Sequence, residues 1–233
     1  MTQSLRRSPA PRSRWMTALL IGLAACGGGS DSAATRSAAP PAVSDAPPRA
    51  VPGPAATPTK SPDQYRAEFI TSKGVFIVAV TRALAPRAAD RFYELVQNGY
   101  YVRTRFYRVV PGFITQWGIH GDTAVNAQWD RATIPDEPMK TSNVRGRIAF
   151  AANGPNSRAT EVFIATGDQA KTLDRQRFAP FGEVVQGMDV VDKISAEYGE
   201  EPNYSRISHQ GNSYLRKWFP ALDSIVSARI IQP

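Results

Sequence analysis

Eight of the 19 prolines in this 233-residue chain fall within residues 27–62, interleaved with Ala, Gly and Ser. Proline fixes φ and lacks a backbone donor, so such a stretch neither continues a helix nor enters a central strand. With few large apolar residues it has no core to bury, and it reads as a flexible linker. It divides the chain into a leader (1–25), a linker (26–62) and a C-terminal segment (63–233). That last segment, of about 170 residues, is the size of one domain. The chain is 42% apolar, which suits a globular protein.

The formal charge of +8 is unevenly placed. Arg6, Arg7, Arg12 and Arg14 lie in a leader that has no acid, while residues 63–233 hold 21 basic and 18 acidic side chains. The domain therefore carries little excess charge. Arg103, Arg105 and Arg108 form no concentrated basic stripe, and a nucleic-acid partner is not expected. Cys26 is the only cysteine, which excludes an internal disulfide and a Cys-pair metal or redox site. With only His120 and His209 besides, neither a metal nor a cofactor is expected. No glycine-rich phosphate loop follows any strand pattern.

The four leader arginines precede an apolar run, Trp15–Ala25. That run is shorter than the roughly 20 residues a membrane-spanning helix needs, and it reads as a secretory signal. Leu23-Ala24-Ala25-Cys26-Gly27 resembles a bacterial lipobox. The resemblance implies cleavage before Cys26, acylation there and a membrane partner through that lipid anchor. The protein would then sit in the cell envelope facing the periplasm. Gly27 in place of an inner-membrane-retaining Asp gives a preference for the outer membrane. The alternative is a plain secretory signal with a chance cysteine.

In the domain, Arg66–Thr71 and Val75–Thr81 read as a hairpin around Ser72-Lys73-Gly74. Ala88, Ala89, Phe92, Leu95 and Val96 recur at helical spacing between Pro86 and Gly99. Arg105–Val110 and Phe113–Gln116 read as strands about Pro111-Gly112, with Phe106 and Arg108 on one face. Ile148–Ala151, Val162–Ala165 and Phe181–Val185 are further strands. Asp189–Glu197 reads as a second helix, Asn212–Phe219 as a short one, and Ser224–Ile231 as a last strand. Many short strands with two longer helices far apart predict a mainly antiparallel barrel with helices outside it.

Neither histidine has a nucleophile motif beside it, and the adjacent Asp136-Glu137 reads as a solvated loop. What remains is Arg108 in Phe106-Tyr107-Arg108-Val109-Val110-Pro111-Gly112-Phe113-Ile114-Thr115-Gln116. One cation, one amide and several large apolar groups in that span can line a shallow pocket. On spacing alone, a solvated strand arginine remains open.

The span resembles the FHRxIxGFxxQ signature of cyclophilin-type peptidyl-prolyl cis-trans isomerases. Ala151-Ala152-Asn153-Gly154-Pro155-Asn156, followed by Val162-Phe163-Ile164, resembles a second family signature. Leu173-Asp174 and Phe178-Ala179-Pro180-Phe181-Gly182-Glu183 resemble its C-terminal portion in a bacterial form. The resemblance implies a mainly β fold, a closed eight-stranded antiparallel barrel capped by two α-helices; the leader and linker ahead of it are expected, from composition, to be disordered. It implies cis/trans isomerisation of X–Pro bonds in proline-containing polypeptides, here to assist folding of exported proteins. Arg108 would bond the prolyl nitrogen in the twisted state. Phe113, Ile114 and Phe163 would hold the ring, with Leu173 at the wall. Gln116 would bond a substrate carbonyl, and Ala151 and Ala152 would line the groove. The family usually has His at position 107 and Gln at position 161. Tyr107 is expected to face away. Glu161 is expected near the substrate, where an ion pair would either orient Arg108 or hold it back. A monomer is expected. The alternative is a proline-peptide-binding module with weak or no turnover.

Overall fold

The computed structural model describes residues 50–56, 59–168 and 170–232. The leader, Cys26 and the linker up to residue 49 lie outside them. The described chain runs β1 (Gln64–Thr71), β2 (Gly74–Thr81), α1 (Pro86–Gln97), β3 (Arg108–Val110), β4 (Ile114–Trp117), α2 (Thr123–Asp130), β5 (Arg147–Phe150) and β6 (Val162–Ala165). It continues through α3 (Ala170–Arg175), β7 (Pro180–Gln186), α4 (Met188–Asp192), α5 (Tyr204–Trp218) and β8 (Ile225–Ile231). The strands form one sheet in the order β3-β4-β6-β5-β7-β2-β1-β8, every pairing antiparallel.

The expected closed barrel is a curled but open sheet, with β3 and β8 as its edges. The chain ahead of β3 bends away, with Arg103 at φ 65°, and meets the chain ahead of β8 only briefly. Arg105 and Ser224 make an isolated bridge. Around it Arg103 N donates to Ile225 O (2.8 Å), Ile225 N to Thr104 O (3.0 Å) and Phe106 N to Asp223 O (3.1 Å). A three-residue β3 is too short to carry a ladder across that seam. Phe106 and Arg108 consequently do not alternate as one strand: Phe106 is wholly buried in the core and Arg108 is half-exposed at a groove.

The cap of two helices is also corrected, since five helices are present among the described residues. The helix expected over Asp189–Glu197 ends at Asp192, where Ser195 N turns to the buried Asp223 carboxylate (2.7 Å). The one expected over Asn212–Phe219 starts eight residues earlier, at Tyr204, where the Asn203 side chain accepts from Arg206 N. α2 was not expected; Asp122 starts it by accepting from Ala124 N and Val125 N.

Phe69 and Phe76, across the first hairpin, stack at 5.0 Å. Trp117, Tyr101 and Phe92 surround them. α1 lays Ala88, Ala89, Phe92, Leu95 and Val96, the residues its periodicity marked, against this core. Its first turn has no side-chain cap of its own. Glu137, read as solvated, accepts from Arg87 N and Ala88 N (both 2.8 Å) and serves instead, since helix N-termini leave amides unpaired. Part of the stretch read as linker is seated on the same helices. Val51 packs on the core, Trp129 Nε1 donates to Pro52 O (3.0 Å) and Ala55 N donates to Glu94 Oε1 (2.8 Å).

Gly118 follows β4 at φ +123°, and a Cβ there would stand 2.5 Å from Thr160 O and 2.6 Å from Glu161 Cα. Neither the backbone conformation nor the space admits a side chain. Gly118→Ala is expected to lower unfolding free energy by about 2–4 kcal/mol, read as a reduced urea midpoint at unchanged slope.

Candidate active site

β3, β4 and β6 lie side by side, and their register sets one row of side chains. Arg108 is paired with Gln116, and Gln116 with Phe163. Directly opposed residues of antiparallel strands point to the same face, about 5 Å apart, so the row brings cation, amide and ring together. It opens onto a pocket of about 270 Å³. All nine residues expected at the site line it: Arg108, Phe113, Ile114, Gln116, Ala151, Ala152, Glu161, Phe163 and Leu173.

The pocket floor is an apolar cluster apart from the main core. Ile114, Ala149, Phe163, Ala165 and Leu173 are buried in it, with Phe113, Ala151 and Phe178 packed at its margin. Phe163 and Phe178 meet edge to face at 5.1 Å. Leu173, supplied by the short α3, is both core and wall. Phe178 was not singled out as a site residue, although it opens the Phe178–Gly182 motif. Asp130 and Tyr204 also line the pocket and carried no local signal, because α2 and α5 bring them from distant parts of the chain.

Arg108 is held from two sides. Nη1 donates to Gln116 Oε1 (3.1 Å), and Nε donates to Glu200 Oε1 (2.6 Å), with Nη2 on the same carboxylate. The guanidinium carbon stands 5.8 Å from the Phe113 ring centre. Each terminal nitrogen carries a second N–H, so two donors remain for a bound molecule. Glu200 is 58% exposed, so this pair is screened by solvent and weak.

Glu161 does not pair with Arg108. Its Oε2 accepts from the Tyr107 hydroxyl and from Gln116 Nε2 (3.2 Å), and Gln116 Nε2 also donates to the Tyr107 oxygen. Tyr107 is therefore not turned away from the site, as expected, but buried beneath it. Its ring packs with Ile119, Ile207, Tyr214 and Leu215, so α5 backs the site. The Tyr204 hydroxyl faces the same carboxylate and lies 3.4 Å from Asp130 Oδ1. Burial pushes the Glu161 carboxyl above the ordinary glutamate range, while the Tyr107, Gln116 and Tyr204 donors pull it back. Burial and the neighbouring carboxylate together push the Tyr107 phenol well up. Of the histidines, His120 is packed on Tyr100 at 5.2 Å, burial lowers its pKa, and neither it nor His209 lines the pocket. No group of three or more metal-ligating side chains occurs among the described residues.

A carboxyl with a raised native pKa holds its proton more tightly folded than unfolded. The stability that proton confers is present at low pH and is lost as pH rises from the ordinary glutamate range through the raised value. Tyr107→Phe keeps the ring and deletes a donor to the charged form. It is expected to move the Glu161 titration further up, read from carboxyl carbon NMR shifts, and to steepen the loss of stability over that window. An unmoved titration would contradict the Tyr107–Glu161 bond.

The family model described as cyclophilin type peptidyl-prolyl cis-trans isomerase/CLD matches residues 66–211. The peptidyl-prolyl cis-trans isomerase A of Dickeya dadantii is 38% identical over 135 residues, covering 54% of this chain and 68% of that protein. An Acinetobacter baylyi peptidyl-prolyl cis-trans isomerase is 34% identical over 146 residues, covering 58% and 77%. Among solved structures, a Cryptosporidium parvum cyclophilin type isomerase aligns at a TM-score of 0.54 with 19% identity, covering 73% of this chain and 99% of that one. A second structure of that protein, determined in the presence of the dipeptide Ala-Pro, aligns at 0.51.

Proposed function

The chain belongs to the cyclophilin-type peptidyl-prolyl cis-trans isomerases, and from that premise we propose how its own residues turn an X–Pro bond. It is an isomerase whose reaction makes and breaks no covalent bond. The barrier, about 18–20 kcal/mol, is the loss of amide resonance as the bond twists. In the twisted state the prolyl nitrogen turns pyramidal and its lone pair becomes an acceptor. A donor aimed at that nitrogen favours the twisted form over the planar one, which is what lowers a barrier. Arg108 is that donor, and arginine suits the task because it stays charged and presents its N–H groups in a fixed plane.

The observation that carries this reading is the row Arg108–Gln116–Phe163 above an apolar hollow, with two guanidinium N–H groups unspent. Phe113, Ile114, Phe163 and Leu173 would receive the pyrrolidine ring, and Phe178 would extend the wall. Ala151 and Ala152 would border the peptide. Proline-containing polypeptides are the substrate class. In a protease-coupled proline-peptide assay on the full chain, Arg108→Ala is expected to lower kcat/KM by about ten- to a hundredfold, the effect of one charge-assisted hydrogen bond. Equal rates for variant and parent would remove Arg108 from this role.

The leader and the Cys26 junction support a second, separate proposal: a lipid-anchored, periplasm-facing isomerase, with the outer membrane preferred, acting on exported proteins as they fold. Uncatalysed X–Pro isomerisation takes tens of seconds or more, slow enough to limit folding. Cys26→Ser is expected to move the protein from the membrane fraction to the soluble fraction. Retention of the variant in the membrane fraction would refute the anchor.

A further inference from the structure

Gln116 has one amide that must serve two neighbours of opposite charge. It is buried at 8% exposure, with Oε1 on the Arg108 guanidinium and Nε2 on the Glu161 carboxylate and the Tyr107 oxygen. Reversing the amide would set its carbonyl oxygen against a carboxylate and its NH₂ against a guanidinium. Both contacts would be repulsive, so the partners themselves fix the orientation. The Tyr107 hydroxyl is committed in the same sense: it donates its proton to Glu161 and therefore accepts from Gln116.

We propose that Glu161 is a positioning residue for the isomerisation, holding the Gln116 amide in one orientation so that its carbonyl faces Arg108 and sets the guanidinium over the pocket. The proposal rests on Arg108 being the donor to the prolyl nitrogen. Glutamine, the residue the family usually has at position 161, offers both a donor and an acceptor. On that side it satisfies either orientation of Gln116 and leaves Arg108 alone to oppose reversal, whereas an ionised carboxylate accepts only and permits one. In this arrangement the Gln116 N–H is spent inside the protein. Gln116 therefore acts on the guanidinium rather than by donating to a substrate carbonyl.

The Glu161 proton sets how firmly that orientation is held. The groups facing that carboxylate are the Tyr107 hydroxyl ahead of β3, Gln116 on β4, Tyr204 on α5 and the Asp130 carboxylate at the end of α2. Arg108 stands on the far side of Gln116. Once protonated, Glu161 carries a donor of its own and no longer opposes the reversed amide, which leaves only the half-exposed Arg108 guanidinium to oppose it. The activity should then fall on the acid side as Glu161 takes its proton.

The test compares the full chain with Glu161→Gln, Glu161→Leu and Arg108→Ala in the same assay across pH. Glu161→Gln is expected to cost about threefold in kcat at neutral pH, with KM little changed, and to abolish the acid limb. Glu161→Leu, with no acceptor, is expected to cost about tenfold or more. The Gln116 side-chain amide resonances should shift with pH in the parent and not in Glu161→Gln, a readout that holds even if the leucine variant does not fold. An acid limb that survives in Glu161→Gln, or Gln116 resonances indifferent to Glu161, would overturn the proposal. If Arg108→Ala keeps full activity, the donor assignment fails instead; if only the Glu161 variants behave like the parent, the positioning role alone fails.

Discussion

The antiparallel register of β3, β4 and β6 is the constraint on which the site depends. Slipping β4 by one residue against either neighbour would send Gln116 to the core face and Trp117 into the pocket. The cost of that exchange holds the register, because Trp117 is wholly buried among Phe69, Phe76, Tyr101 and Phe106. One face of four residues, Ile114–Trp117, thus anchors the core while the other presents the groove. Gly118 lets β4 run on beside Glu161 at a distance no Cβ allows, which keeps that carboxylate within reach of Gln116.

A second layer of support comes from the C-terminal part of the chain. α5 packs Ile207, Tyr214 and Leu215 under Tyr107, and the turn before it reaches Arg108 through Glu200. Gly211, at φ 58° within α5, lies where a Cβ would be 2.1 Å from Gly121 O, so the helix kinks to sit close on the loop after β4. These contacts explain why an open sheet suffices. The seam between β3 and β8 is bridged by a few backbone bonds, and Tyr107 and Leu222 beside it cluster with Ile207, Tyr214 and Leu215 of α5.

Much of this was legible in the sequence, and for a local reason. The hairpin of β1 and β2 and the buried face of α1 follow from period-two or helical spacing over short windows, and β4, β6 and β7 from short runs rich in strand-forming residues. The short helices were not legible: α2 has little amphipathic contrast, and α3 is six residues long. Closure, which only the family resemblance implies, does not hold here because a three-residue β3 is too short to pair along β8. The alternation of Phe106 and Arg108 failed because the chain bends before β3 starts.

The site divides along the same line. Arg108, Phe113, Ile114, Gln116 and Phe163 could be named from two short motifs, since each residue's chemistry is carried within a few positions of its neighbours. Tyr204 and Glu200 could not, Tyr107 sits in the first motif without a sign of its inward turn, and Glu161 meets Tyr107 and Gln116 instead of forming the ion pair weighed for it with Arg108. Tyr107 meets Glu161 across 54 positions and Arg108 meets Glu200 across 92. By itself the sequence determined nine of the groups that line the pocket, through its short motifs, and where most of its strands and its first helix would form. Only the tertiary structure decided which carboxylate meets the guanidinium and which meets the amide. A hydrogen bond is fixed by distance and direction between atoms, and sequence spacing encodes neither once the chain has folded back on itself.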